Sequence, residues 1–490
     1  MAWSRRPPFS QAIQPGSPRS ILDPIPECDI KTTMRFTLIS PIHGYWLRVG
    51  VMGLLLVVTE ARADLRVTAY YPGYRQSYLN PVNIDFTAVT HVIHFSVVPR
   101  TDGTLNTTLN GLTPAYSTAL VTSAHAAGRK ALICVGGAGS QAGFRGATTP
   151  TNRAAFIANL TNFMATNQYD GVDLDWEPLE ASDANQFTNL VIMLRAALNL
   201  FDPPRLLTVA TASQPSWFAA LQNSFDQINL MTYDLAGPWP GWVTWFNSPI
   251  YDGGYRFPST GGLIPSSDGM VNDFLAAGAT PSKLAVGIAF YGTIWSGGTG
   301  TPTGGAALPR QSWSTAPATT AVAYFDIMST YFQTNLYHWD TTAQAAYLSE
   351  DNSGSANDKF ISYDDEHTCQ AKVSYARNRG LGGVMIWELG QGYLPSQPSE
   401  QREPLLHAVK DALLAKPELT AIWRTNQDIQ LSFLSLPLAL YRIEWTTNPA
   451  SGYWNLLTNN VLGTGEVLHI SDPGALDLQP ARFYRVRTPP

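Results

Sequence analysis

The chain has 490 residues, room for a barrel-sized domain and a smaller companion. Apolar residues make up 44% and aromatics 11%, while charged residues are only 14%, which excludes disorder for most of the chain. A net charge of -6 argues against general attraction to nucleic acid or an anionic membrane, and low charge with many rings fits a neutral, polar, ring-shaped ligand such as a carbohydrate.

In chain order, the first signal is an apolar run at 49–58. It is too short to span a bilayer, which takes ~20 apolar residues. Arg48 precedes it and Ala61-Arg62-Ala63 follows with the spacing of a cleavage site, the layout of a secretory signal peptide. The Pro-, Ser- and Arg-rich stretch before Met34 does not suit such a signal, so translation is expected to begin at Met34. The expectation is a signal and N-terminal extension over 1–63, cleavage near Ala63, a secreted product and no integral membrane segment in the mature chain. The cysteines are Cys28, Cys134 and Cys369; the two that remain after cleavage are read as buried free thiols. No Cys/His cluster has zinc-ligand spacing, and neither metal nor cofactor is expected.

From 64 the chain repeats one rhythm, a short Val/Ile/Leu-rich run followed by a helical stretch. The runs fall at 65–70, 91–96, 130–135, 171–175, 206–211, 228–233, 284–290 and 383–387, eight in all. Helices are predicted at 113–127, 153–167, 183–199, 217–223 and 268–277, the first with Thr113 as N-cap and Pro114 at the first helical position. Eight alternating units predict an α/β (β/α)8 TIM barrel over 64–415. The longest of the expected inserted loops, 293–360, separates the last two runs; its first part is Gly/Thr/Pro-rich and it later contains Tyr337-His338-Trp339-Asp340. From 419 the pattern becomes period-two, with short strands at 429–436, 441–446, 453–457, 467–470 and 482–487. That predicts a small C-terminal antiparallel β-sandwich over 416–490, linked at Lys416-Pro417.

The segment Asp170-Gly171-Val172-Asp173-Leu174-Asp175-Trp176-Glu177 carries the chemistry. Side chains alternate along a strand, so Asp173, Asp175 and Glu177 share one face and Leu174 and Trp176 the other. On a barrel strand the acids climb the inner wall toward the mouth. Crowded carboxylates in a poorly solvated site hold a proton near neutral pH, and Glu177, outermost, is the best proton donor. A solvated edge face or a Mg²⁺/Ca²⁺ site are the alternatives. The apolar spacers argue against the first, and no separate strand end offers an obvious set of further acidic ligands for the second.

This segment resembles the D-x-x-D-x-D-x-E signature of family 18 glycoside hydrolases, the chitinase family. Met231-Thr232-Tyr233-Asp234, Gly287-Ile288-Ala289-Phe290-Tyr291-Gly292 and Gly382-Gly383-Val384-Met385-Ile386-Trp387-Glu388 close the sixth, seventh and eighth runs in the same order. The resemblance implies substrate-assisted hydrolysis, which that family uses in place of two flanking carboxylates. Glu177 would protonate the glycosidic oxygen, and the sugar's own 2-acetamido oxygen would attack C1. Asp175 would orient the acetamido group, Asp173 would share its proton, and Tyr233 would position the acetamido oxygen. Trp387 would be the platform under the reacting sugar, with Met231 and Asp234 lining the same subsite. Tyr70 and Phe95 would form its floor, and Trp239 would extend the groove. Asp170, Cys134, Gly136 and Gly137 would support the acids. Three positions depart from the family pattern: Cys134 stands where S-x-G-G would begin, Ala138 where Trp is frequent, and Pro178 where Tyr is common.

The implied substrate is chitin or a chito-oligosaccharide, with the chain acting as a monomer. The alternatives are an endo-β-N-acetylglucosaminidase on N-glycan cores or a catalytically silent lectin. The C-terminal module resembles small modules of secreted bacterial enzymes; Trp445 and Trp454 there are either core residues or a chitin-binding surface.

Overall fold

The computed structural model describes residues 65–490 apart from 353, 356, 415–418, 450–452, 476–481 and 489–490. The signal segment, Met34, Cys28 and the Lys416-Pro417 linker lie outside the described residues. Eight parallel strands, Arg66–Pro72, His91–Pro99, Lys130–Gly137, Gly171–Trp176, Leu206–Thr211, Gln227–Leu230, Leu284–Ala289 and Gly383–Trp387, pair in that order. The first also pairs with the eighth, closing a (β/α)8 barrel. The helix Pro114–Ala126 begins where capping chemistry predicts, on Thr113, whose hydroxyl accepts from the Tyr116 amide at 3.1 Å.

Alternation divides the core into two layers. Val67, Ala69, Tyr71, Val172, Leu174 and Trp176 face outward into the layer shared with the helices. There Trp176 stacks on Phe144 at 4.6 Å and meets Phe187 edge-on at 6.2 Å, pairs worth ~0.5–1.5 kcal/mol beyond their buried area. Tyr70, Phe95, Cys134, Tyr233 and Met385 point inward and form a separate lumen cluster. One strand thus supplies packing on one face and chemistry on the other.

Two differences from the predicted elements bear on the site. The sixth strand ends at Leu230 rather than 233, because the chain turns sharply there: Thr232 N bonds back to Leu230 O at 2.9 Å and Asp234 sits at φ 56°. The insertion is no loop. Tyr291–Ser296, Ala318–Ala323, Tyr337–Asp340, Ala345–Glu350 and Lys359–Tyr363 form a five-stranded antiparallel sheet with its own core around Trp245, Phe246, Trp295 and Phe360. Leaving the barrel after Ala289, the chain runs directly into this sheet, which places it on the mouth side.

After the helix Pro404–Leu414, six strands form two antiparallel three-stranded sheets around Leu431, Phe433, Tyr441 and Ile443. The first, Leu419–Thr425, escaped the period-two reading because it is exposed along almost its whole length. Trp445 and Trp454 lie beneath guanidinium groups, Arg482 and Arg485, at 4.0 and 4.1 Å. These contacts occupy one face of each ring. Among the described residues no helix is long and apolar enough to cross a membrane.

Candidate active site

The fourth strand brings the acids together as its alternation requires, and their solvent exposure rises along it. Asp173 is fully buried, Asp175 is 3% exposed, and Glu177, just past the strand end, is half-buried. Asp173 accepts from Tyr70 Oη at 2.7 Å and Thr208 Oγ1 at 2.6 Å. The side chains of Cys134 and Asn229 also face it. Burial pushes its carboxyl up to about 6 against these contacts, which favour the ionised form. Ser140 braces the top of the strand, donating to Asp175 O and accepting from Glu177 N, both at 3.3 Å.

The third strand supports the fourth at close range. Cys134 is in register with Asp173, and Gly136 with Asp175. A Cβ on Gly136 would come within 2.0 Å of Asp175 O, and one on Gly137 within 2.5 Å of the Phe95 ring. Both also sit at positive φ, 117° and 105°, where glycine carries no steric penalty. The Cys134 thiol is buried, and burial together with the neighbouring aspartates holds its pKa well above the ordinary value. It stays a neutral thiol, a weaker donor to Asp173 than a hydroxyl. Cys369, also buried, is free as well.

Trp387 ends the eighth strand and is only partly buried, its indole meeting Phe95 edge-on at 4.8 Å and Tyr70 at 5.3 Å. Tyr233 and Met231 belong to the same lumen cluster, Tyr233 Oη donating to Met385 Sδ at 3.6 Å. Asp234 is exposed at the mouth and accepts from Tyr291 Oη at 2.7 Å. The predicted residues on or just past the first, second, third, fourth, sixth and eighth strands therefore converge on the barrel lumen and its mouth.

Two predicted residues lie elsewhere. Asp170 precedes the fourth strand at the end opposite the mouth, where it accepts from His125 at 2.8 Å, Lys130 at 2.9 Å and Ala131 N at 2.9 Å. Its support is to the barrel's foot, and these partners hold its carboxyl below the ordinary range despite partial burial. Trp239 packs against Trp242 at 4.4 Å in the loop after the sixth strand, outside the lumen cluster. Trp245, further along the same loop, is fully buried in the core of the insertion.

Sequence reasoning missed Thr208, Tyr291 and Glu388. Tyr291 and Glu388 stand inside blocks already singled out, but their partners come from distant segments. Glu388 is fully buried directly after Trp387 and accepts from Arg75 Nε at 3.0 Å and Gly390 N at 2.8 Å. Burial raises its carboxyl to about 7, with the Arg75 guanidinium opposing.

A closed parallel barrel with a row of acids rising to its mouth beside an indole defines the TIM-barrel glycosyl-hydrolase class. Within that class the chain belongs to the glycosyl hydrolases family 18, whose model matches residues 66–392. It is 28% identical over 353 residues to Chitinase A1 of Niallia circulans, covering 65% of this chain and 46% of that one. It is 32% identical over 263 residues to a probable endochitinase of Caenorhabditis elegans, covering 50% and 40%. The chain thus spans less than half the length of these two curated relatives. A family 18 N-acetylglucosaminidase structure from Paenibacillus barengoltzii superposes with a TM-score of 0.59 at 25% identity, covering 71% of this chain and all, 100%, of that one.

Proposed function

We propose that the protein hydrolyses β-1,4 linkages between N-acetylglucosamine units of chitin or chito-oligosaccharides, with retention and with the substrate's acetamido group as nucleophile. The observation that carries this reading is the exposure gradient on the fourth strand. Glu177, alone of its row, is only half-buried, and in this reading it protonates the leaving oxygen. Asp175, below it, orients the acetamido N–H and stabilises the cation that develops when the acetamido oxygen closes on C1. Asp173 shares a proton with Asp175 and relays charge as the intermediate forms and opens. Glu177 then acts as base for the attacking water. Tyr233 positions the acetamido oxygen, and Trp387 stacks against the apolar face of the pyranose. The chitinases among the relatives support the choice of substrate.

The catalytically silent lectin is disfavoured because Glu177 is present. An N-glycan endoglycosidase shares the acid row, so product analysis on chitin oligomers beside a high-mannose glycoprotein separates the two. The decisive test is Glu177→Gln: oligosaccharide binding persists while turnover falls by at least ~10³-fold, beyond the 10²–10⁴-fold scale's lower end for a positioned acid. Turnover within tenfold of wild type removes Glu177 from this role. We further propose secretion, on the strength of the apolar run at 49–58 and the Ala61-Arg62-Ala63 site, and action as a monomer.

A further inference from the structure

Asn247 is 1% exposed and touches three segments at once. Its Oδ1 accepts from Asp234 N at 3.3 Å and from Thr293 Oγ1 at 3.1 Å. Its backbone carbonyl accepts from Leu235 N at 3.1 Å, and its own amide donates to Ser362 Oγ at 2.9 Å. Two successive amides, those of Asp234 and Leu235, are thus held by one residue just where the chain turns. Asp234 needs holding, because its φ of 56° is a left-handed conformation that a side chain bearing Cβ rarely adopts unaided.

The Asp234 carboxylate is gripped from the other side. Tyr291 Oη donates to its Oδ1 at 2.7 Å, and the Asn247 side chain faces the same hydroxyl. Burial and the adjoining carboxylate hold the Tyr291 pKa well above its ordinary value, so the hydroxyl remains a donor. The Tyr291 ring lies edge-on to Tyr233 at 5.9 Å. Thr293 and Tyr291 belong to the first strand of the insertion sheet, and Ser362 to a neighbouring strand. The insertion therefore grips the loop that carries Tyr233 and Asp234.

We propose that Asn247 is a positioning residue for sugar hydrolysis, acting with Tyr291 to clamp the Asp234 carboxylate at the mouth; this rests on the chitinase reading above. It does not touch the sugar and acts through Asp234. The energetic signature is non-additivity, since residues that work through one contact do not sum.

The test is a double-substitution cycle on chitotetraose hydrolysis. Asn247→Ala is expected to lower kcat/KM about tenfold, and to lower it by less than twofold when Asp234 is already alanine. A tenfold loss in both backgrounds overturns the proposal, because Asn247 then acts elsewhere. Should Asn247→Ala not fold, Asn247→Ser withdraws the carboxamide oxygen from the Asp234 amide while keeping a polar atom for Thr293, and the same two comparisons decide. If the wild-type protein does not turn over chitotetraose, the functional reading fails and a crystal structure of the Asn247 variant judges the clamp. Departure of Asp234 from its left-handed φ supports it; an unchanged Asp234 still bonded to Tyr291 overturns it.

Discussion

Asp173 lies fully buried beneath Asp175 and Glu177, and its titration should be readable in the stability of the whole barrel. Its carboxyl, ordinarily near 3.8, is raised to about 6 by burial. The folded protein then binds this proton more tightly than the unfolded chain. The stability so contributed is fully present below the unfolded value of 3.8 and is lost as pH rises through about 6. A gap of roughly two pH units at ~1.36 kcal/mol per unit corresponds to about 3 kcal/mol. Asparagine at this position keeps the shape but cannot ionise. Urea unfolding of wild type and Asp173→Asn should be followed across roughly pH 3.5 to 7.5. The stability of wild type relative to the variant should fall by about 3 kcal/mol over that interval. Carboxylates distant from this site cancel in the comparison. A difference that stays flat, or that grows with pH, refutes the assignment of a desolvated, partly protonated Asp173.

Other perturbations test the surrounding shell. Cys134→Ser replaces a weak donor to Asp173 with a stronger one, so the Asp173 carboxyl should drop and the acid limb of the kcat/KM profile should move to lower pH by up to about one unit; an unmoved limb makes the thiol a bystander. Trp387→Ala should raise KM for chitotetraose about tenfold, equivalent to ~1.4 kcal/mol of lost stacking, and a wild-type KM would show that the indole is not the platform. Gly137→Ala forces a Cβ into the Phe95 ring, which rests on Trp387, whereas Gly139→Ala meets no atom within 4 Å although it also has positive φ, 79°. The first should therefore lower the melting temperature and the activity more than the second, and equal effects would mean that backbone conformation alone matters at both sites.

What could be read from the residues alone was whatever depends on short spacing. Period two on a single strand set Asp173, Asp175 and Glu177 on one wall and Leu174 and Trp176 on the other, and the Thr113-Pro114 start announced its helix. Eight strand-helix units implied closure, because parallel strands with covering helices have few other ways to bury their outer faces. Contacts between distant segments were decided only by the folded chain. Thr208 reaches Asp173 across 35 residues and Tyr291 reaches Asp234 across 57, distances over which no local pattern carries information. The same holds for the insertion, whose strands pair non-sequentially, Tyr291–Ser296 lying between Ala318–Ala323 and Lys359–Tyr363. Asp170 shows the converse: it belongs to the acidic motif by spacing, yet strand direction sends it to the foot of the barrel. Local periodicity selects the face a side chain points to, whereas register and closure select what it meets there.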